Sequence, residues 1–390
     1  MARTSAETGE ASDRAHSVPP GVGRAPQSPP EPAACAPRVG GLDLARCLAI
    51  FGMVYVNFEV VLAAGEREPR WLGVLAACTE GRAAATFVVL AGIGLVLLDR
   101  RAVIARRALF LLLLGFAWQL VWPGDILHYY AFYLAVGALS LRLRAGGLWC
   151  LAALSIAAFG VLFGCLDYGA GWHWETLSYP EFWTPAGQLH NLLFNGWHPL
   201  FPWLAFLFAG MALGRWGLWE VRNRRTALAL SAVIFLAAHF LSQALAALPD
   251  ERPLEERIGE WYRAPEAFWS VSSLPPGPLY MLSAGASAVF VIALCLEACA
   301  RPSFERRTRQ LSRAGRYALS FYIAHVLFLY FGVIVVTSVL DVGGSGPGEP
   351  LEWAAGGTAV FCAFAVAFAA AWGSVFRRGP LEWLMRRLCG

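Results

Sequence analysis

Lysine is missing from this chain: all 31 basic residues are arginine. Together with the abundance of alanine, glycine and leucine, this reads as base-composition bias of the genome rather than as chemistry, and the net charge of +4 gives no reason to expect nucleic-acid binding. Charge of either sign is scarce. Only 15% of residues are charged, 57% are hydrophobic and the mean hydropathy is +0.52, far more apolar than a soluble domain. The nine cysteines are scattered, with no CxxC pair and no metal-ligand spacing; they read as small residues inside helices, and no metal is expected. A Walker loop, a dinucleotide-binding glycine pattern and a clear inverted repeat are also absent. Residues 1–38 lack the apolar stretch of a signal peptide and are rich in Ala, Pro, Gly, Ser and Glu, so they read as a disordered cytoplasmic tail.

What the chain has instead is a succession of apolar runs. About 20 residues at about 1.5 Å each cross a hydrocarbon core of about 30 Å. Ten runs approach that length: residues 41–65, 81–98, 107–122, 126–141, 147–166, 200–215, 226–248, 279–300, 317–340 and 354–376. The expected fold is all-α, a polytopic membrane bundle of about ten transmembrane helices over residues 39–376. A short basic amphipathic segment, 377–390, then suits the inner interface. If the N-terminus is cytoplasmic, only Arg67, Arg70, Arg82, Arg252, Arg257 and Arg263 fall at or beyond the outer face. This asymmetry puts both termini inside, in the plasma (inner) membrane, and two long loops, 167–199 and 249–278, outside. The first of these loops is rich in tryptophan, as a lid or an interfacial belt would be.

The first run carries the polar groups around which the rest is organised. Arg46 and Asn57 are eleven residues apart, about three turns, so they share one helix face. Asp43 lies one turn before Arg46 and can pair with it, whereas Glu59 points away from that stripe. Simple anchoring at the inner interface is the ordinary alternative for Asp43 and Arg46. A buried amide at the depth of Asn57 usually has work to do. Asp125 and His128 stand at i and i+3 at the outer end of the fourth run, where the carboxylate can orient the imidazole and raise its basicity. Packing in an aromatic belt with Tyr129, Tyr130 and Tyr133 is the competing explanation. His198 and His239 can reach the same level, although a lone histidine in a helix is more often a packing residue. Arg46, Arg316, Tyr322 and His325 are expected nearer the cytoplasm. Arginines around an inner opening suit a polyanionic donor such as the pyrophosphate of coenzyme A, and only Arg46 and Arg82 lie within or at the edge of a helix. Buried polar residues on several spans line a permeation path as readily as an active site, so a multi-pass transporter of a small molecule remains the alternative.

Several stretches resemble the YeiB-like family of bacterial membrane proteins, grouped in a transmembrane acyltransferase superfamily with the catalytic domain of heparan-alpha-glucosaminide N-acetyltransferase. They are LDLARCLAIFGMVYVN (42–57, with Arg46 and Asn57), EGRAAATFVVLAGIGL (80–95, with Arg82), GDILHYYA (124–131), NGWHPLFPWLAFLFAGMALGR (195–215), GRYALSFYIAH (315–325) and GPLEWLMRR (379–387). The resemblance implies transfer of an acyl group, acetyl above all, from cytosolic acyl-CoA to a hydroxyl or amine at the outer face, such as that of a sugar or glycolipid. The sugar acetyltransferase relatives need a histidine in the loop after the first span, and residues 66–80 contain none. The expected division of labour is therefore as follows. Arg46 and Arg82 hold the acetyl-CoA donor, Asn57 positions the acyl carbonyl or acceptor, and His128 oriented by Asp125 is the general base, with His198, Tyr322 and His325 near the substrate. The expected partners are the lipid bilayer, the acyl-CoA and an unidentified acceptor, with a homodimer left open.

Overall fold

The computed structural model describes residues 40–62, 69–248, 262, 265–339 and 351–390; the expected disordered tail, 1–38, lies outside them. No strand occurs among the described residues; beside the four-residue helical turn Pro265–Phe268, fifteen helices carry the fold. In chain order these are α1 Gly40–Val61, α2 Arg70–Thr79, α3 Arg82–Leu98, α4 Arg101–Gln119, α5 Leu127–Ser140, α6 Ala145–Cys165, α7 Pro185–His190, α8 Leu200–Trp216 and α9 Val221–Ala246. There follow α10 Pro278–Cys299, α11 Pro302–Arg307, α12 Arg309–Gly315, α13 Ala318–Val339, α14 Leu351–Val375 and α15 Pro380–Cys389.

Each of the ten apolar runs is a helix, but their lengths differ. Among the described residues seven stretches are long and apolar enough to cross a membrane. An eighth is α7 with its following π turn, Asn191–Asn195, joined to α8 at a bend of 49°. α5, with 14 residues, reaches only about 21 Å. It is sheathed by protein, with Leu127, His128, Tyr129, Tyr130 and Tyr133 all buried, so it need not match the bilayer. Two further differences concern the loops. Residues 70–79, read from sequence as part of the loop 66–80, form α2, which breaks from α3 at Gly81, where φ is +65°. The aromatic stretch after α6 folds back as a turn at Pro180–Trp183, then α7 and the π turn.

Close approach is the means of assembly. Against lipid there is little hydrophobic gain in helix pairing, so small residues that let backbones touch decide which faces meet. α3 lies along α8 through Gly92 and Gly210: a methyl group added at Gly92 would stand 2.2 Å from Leu207 O, and one at Gly210 2.1 Å from Val89 O. Gly315 at the end of α12 likewise abuts the backbone of Asp43 in α1. Around α1 and α3 the core is continuous through α5, α8, α10 and α13. A smaller aromatic cluster, Phe159, Tyr168, Phe194 and Tyr262, packs beneath the refolded loop.

Candidate active site

α1 is the axis of the site. Its Asn57 Nδ2 lies 2.7 Å from His325 Nε2 of α13. The other ring nitrogen, Nδ1, is 3.3 Å from Phe321 O one turn earlier. A carbonyl can only accept, so Nδ1 carries the proton and Nε2 receives the Asn57 N–H. His325 is fully buried; its role here is to fix the amide of Asn57, which keeps a second N–H and its carbonyl oxygen for other partners.

One turn before His325, Tyr322 links α13 to the entrance of α5. Its hydroxyl accepts the Ile126 N–H at 3.0 Å and donates to Asp125 Oδ1 at 3.1 Å. Asp125 Oδ2 accepts the His128 backbone N–H and the His128 Nδ1–H, both at 3.1 Å. The expected Asp125–His128 pair is therefore present. Asp125 is 0% and His128 3% exposed, and both side-chain oxygens of Asp125 are hydrogen-bonded, as burial of a polar group requires. His128 Nε2 is buried and has no hydrogen-bond partner among the described residues. Its ring is boxed by Phe116, Tyr129 and Phe182.

A cavity of about 410 Å³ opens beside these groups, with Asn57, Tyr322, His198, Glu59, Glu80 and Trp203 in its walls. His198 sits in the break before α8. Its carbonyl accepts the Tyr133 hydroxyl at 2.6 Å, and its ring stands edge-on to Trp203 at 4.6 Å between centroids. His128 is not among the lining residues; it reaches the cavity only through Asp125 and Tyr322. Glu59, expected to point away from Asn57, also lines the cavity, because the space wraps around the end of α1. A narrow apolar space of about 130 Å³ lies behind Met53, Ile126 and Tyr322, which line both spaces, and extends to Ala318, Leu319 and Met385 of α15.

The sequence-predicted residues thus fall into two groups. Asn57, Asp125, His128, His198, Tyr322 and His325 come together. Arg46 and Arg82 do not join them or each other. Arg46 pairs with Asp43 at 2.5 Å near the start of α1. Arg82 opens α3, which runs antiparallel to α1 and touches it at the level of Gly52 and Ala83, about 9 Å further along than Arg46. Its guanidinium donates to Ala77 O at 2.9 Å and to Ser283 Oγ at 3.3 Å. Tyr322 and His325 were expected on the cytoplasmic side beside Arg46; they instead meet Asp125 and Asn57. The reason is that α12 already abuts Asp43, so α13 begins deep in the bundle.

Two supporting residues escaped the sequence reading. Asn195, fully buried in the π turn, donates to Tyr168 O and Ala170 O at 2.9 and 2.8 Å, and its Oδ1 faces the Tyr179 hydroxyl at 3.3 Å and His190 Nδ1 at 3.1 Å. It ties the refolded loop into one piece behind His198. The adjacent Tyr129 hydroxyl donates to Asn191 Oδ1. Glu382 of α15 accepts the Leu319 N–H at 2.8 Å, the Ser320 N–H at 3.1 Å and the Ser320 hydroxyl at 2.6 Å. It caps the helix that carries Tyr322 and His325. Burial pushes its carboxyl above the ordinary range, while these donors pull it down. The Asn-rich turn and the glutamate of GPLEWLMRR were the only signals available in sequence.

Fold and site together define a polytopic, all-helical membrane protein built around a buried polar network at the wall of an internal cavity. The chain belongs to the family described as heparan-alpha-glucosaminide N-acetyltransferase, catalytic, which matches residues 38–247. Residues 213–390 match a second family, described as a protein of unknown function (DUF418); the pair agrees with the transmembrane acyltransferase family that the motifs resemble. No curated protein matches the chain.

Proposed function

We propose that this protein is an integral membrane acetyltransferase that takes the acetyl group from an acyl-CoA and passes it to a hydroxyl or amine acceptor. The family match supports acetyl transfer. The observation that carries the reading is the convergence of the Asn57–His325 and Asp125–Tyr322 pairs on one cavity that a third imidazole, His198, also lines. Asn57 retains an N–H for the acyl carbonyl oxygen, where negative charge develops as the acceptor attacks. His198 takes the proton from the attacking O–H or N–H, the C–S bond breaks as the C–O or C–N bond forms, and the departing thiolate recovers the proton. Asp125 and His128 act through Tyr322 as positioning residues rather than at the reacting atoms. The space of about 130 Å³ behind Tyr322, walled by apolar side chains and the rings of Tyr130 and Tyr322, suits a thin acyl-bearing arm better than an ion. Arg46, at the other end of α1, grips the donor's phosphates.

Calorimetry of the purified protein with acetyl-CoA and free coenzyme A, beside an Arg46→Ala control, tests this. Saturable binding lost in the control is the expected result. Well-folded protein that binds neither would shift the reading to transport.

A further inference from the structure

A second cavity, of about 920 Å³, lies between α2, α3, α9 and α10 and takes no part in the chemistry above. α9 turns Ser231, Phe235, His239 and Ser242 into it, a spacing that keeps all four on one helix face. Its rim is of another kind. Val74, Leu236 and Phe290 are 59%, 53% and 38% exposed and belong to stretches long and apolar enough to cross a membrane. Exposed apolar side chains on spanning helices face acyl chains, so the mouth opens sideways into the bilayer. Inside, the half-buried Arg82 has only carbonyl and hydroxyl partners and no carboxylate within ion-pair distance among the described residues. A guanidinium at a lipid-facing opening is costly unless an anion meets it. The wall toward the first cavity is thin: Glu80 and Ser273 line both spaces, and the Ser273 hydroxyl donates to Glu80 Oε1 at 3.1 Å.

We propose that this second cavity is the lateral docking site of the acceptor, and that the acceptor is an anionic lipid bearing a free hydroxyl. Its phosphate sits at Arg82, its hydrocarbon chain leaves between Val74 and Leu236, and its hydroxyl-bearing head crosses the Glu80–Ser273 partition toward Asn57 and His198. Lipid binding stands on this geometry alone; only the acceptor role rests on the acetyltransferase reading.

The test uses the full chain in phosphatidylcholine nanodiscs with two photoreactive lipids, a diazirine-bearing phosphatidylglycerol and an uncharged diazirine-bearing diacylglycerol. Crosslinks from the phosphatidylglycerol are expected to concentrate on residues 74–78 and 231–242, about tenfold above the diacylglycerol, because a phosphate gains charge-assisted bonds that a neutral head cannot make. Arg82→Gln removes that preference. Should Arg82→Gln fail to fold, Ser242→Trp fills the cavity from the lipid-exposed helix, lowering crosslinking and leaving acetyl-CoA binding intact. Equal labelling by both lipids, or labelling spread evenly along α4 and α6, overturns the site. A second arm supplies radiolabelled acetyl-CoA to membranes containing the protein. Label expected in the lipid fraction disappears in Ser242→Trp. Label passing only to water-soluble acceptors overturns the acceptor assignment, and loss of acetyl-CoA binding itself overturns the acetyltransferase reading instead.

Discussion

At the scale of single residues, the site is a set of polar groups whose partners fix their orientation. His325 cannot serve as a free base while its Nε2 accepts from Asn57 at 2.7 Å, and His128 is shut in by three rings. His198 alone of the three lines the cavity. Acetyl transfer by His198→Ala should therefore fall by about 10²–10⁴-fold, the usual contribution of a general base, with acetyl-CoA binding retained. His128→Ala should lose less, and equal losses would return the base role to His128. For His325, Gln can keep a hydrogen bond to Asn57 where Ala cannot. His325→Gln should keep most of its activity and His325→Ala should lose it with little change in donor affinity; identical kcat values in the two would show that the Asn57 bond is unimportant.

At the scale of elements, α13 and α15 behave as one unit. Glu382 satisfies N–H groups at the start of α13 that no intrahelical carbonyl can reach. Removing such a cap costs about 1–2 kcal/mol. Glu382→Ala should lower the melting temperature in detergent and reduce transfer together, because Tyr322 and His325 ride on the capped helix; a variant with unchanged melting and lost activity would assign Glu382 to chemistry instead. The α3–α8 contact is less forgiving. At Gly210 a side chain would meet the Val89 backbone at 2.1 Å, and overpacking of this kind costs about 1–3 kcal/mol or more. Gly210→Leu should give little folded protein by size-exclusion chromatography, whereas Gly94→Ala, where an added methyl meets nothing, should be neutral.

At the scale of the whole molecule, orientation is set by charge. Arginine-rich connections are as a rule cytoplasmic, and on that rule the end of α6 and the refolded aromatic segment are expected outside. Cys165 ends α6 and is exposed. In intact cells it should react with a membrane-impermeant maleimide, and Cys165→Ser should abolish that labelling. Protection of Cys165 until the membrane is permeabilised would reverse the topology, and with it the direction of transfer.

Much of this was legible in the sequence. The apolar runs fixed an all-helical membrane bundle because helices satisfy every backbone group internally, the condition lipid imposes. The i, i+3 spacing of Asp125 and His128 allowed for their bond, and the depth of Asn57 pointed to a place in the protein interior, though not to its partner. What sequence could not supply was partnership between distant helices. That His325 meets Asn57 across 268 positions, that Tyr322 reaches Asp125, and that Arg82 opens onto a cavity other than that of Asn57 all follow from where α13 starts and how α1 and α3 cross. Periodicity fixes which face of a helix a residue occupies; only packing of the helices, set by small residues such as Gly92, Gly210 and Gly315, decides what that face meets.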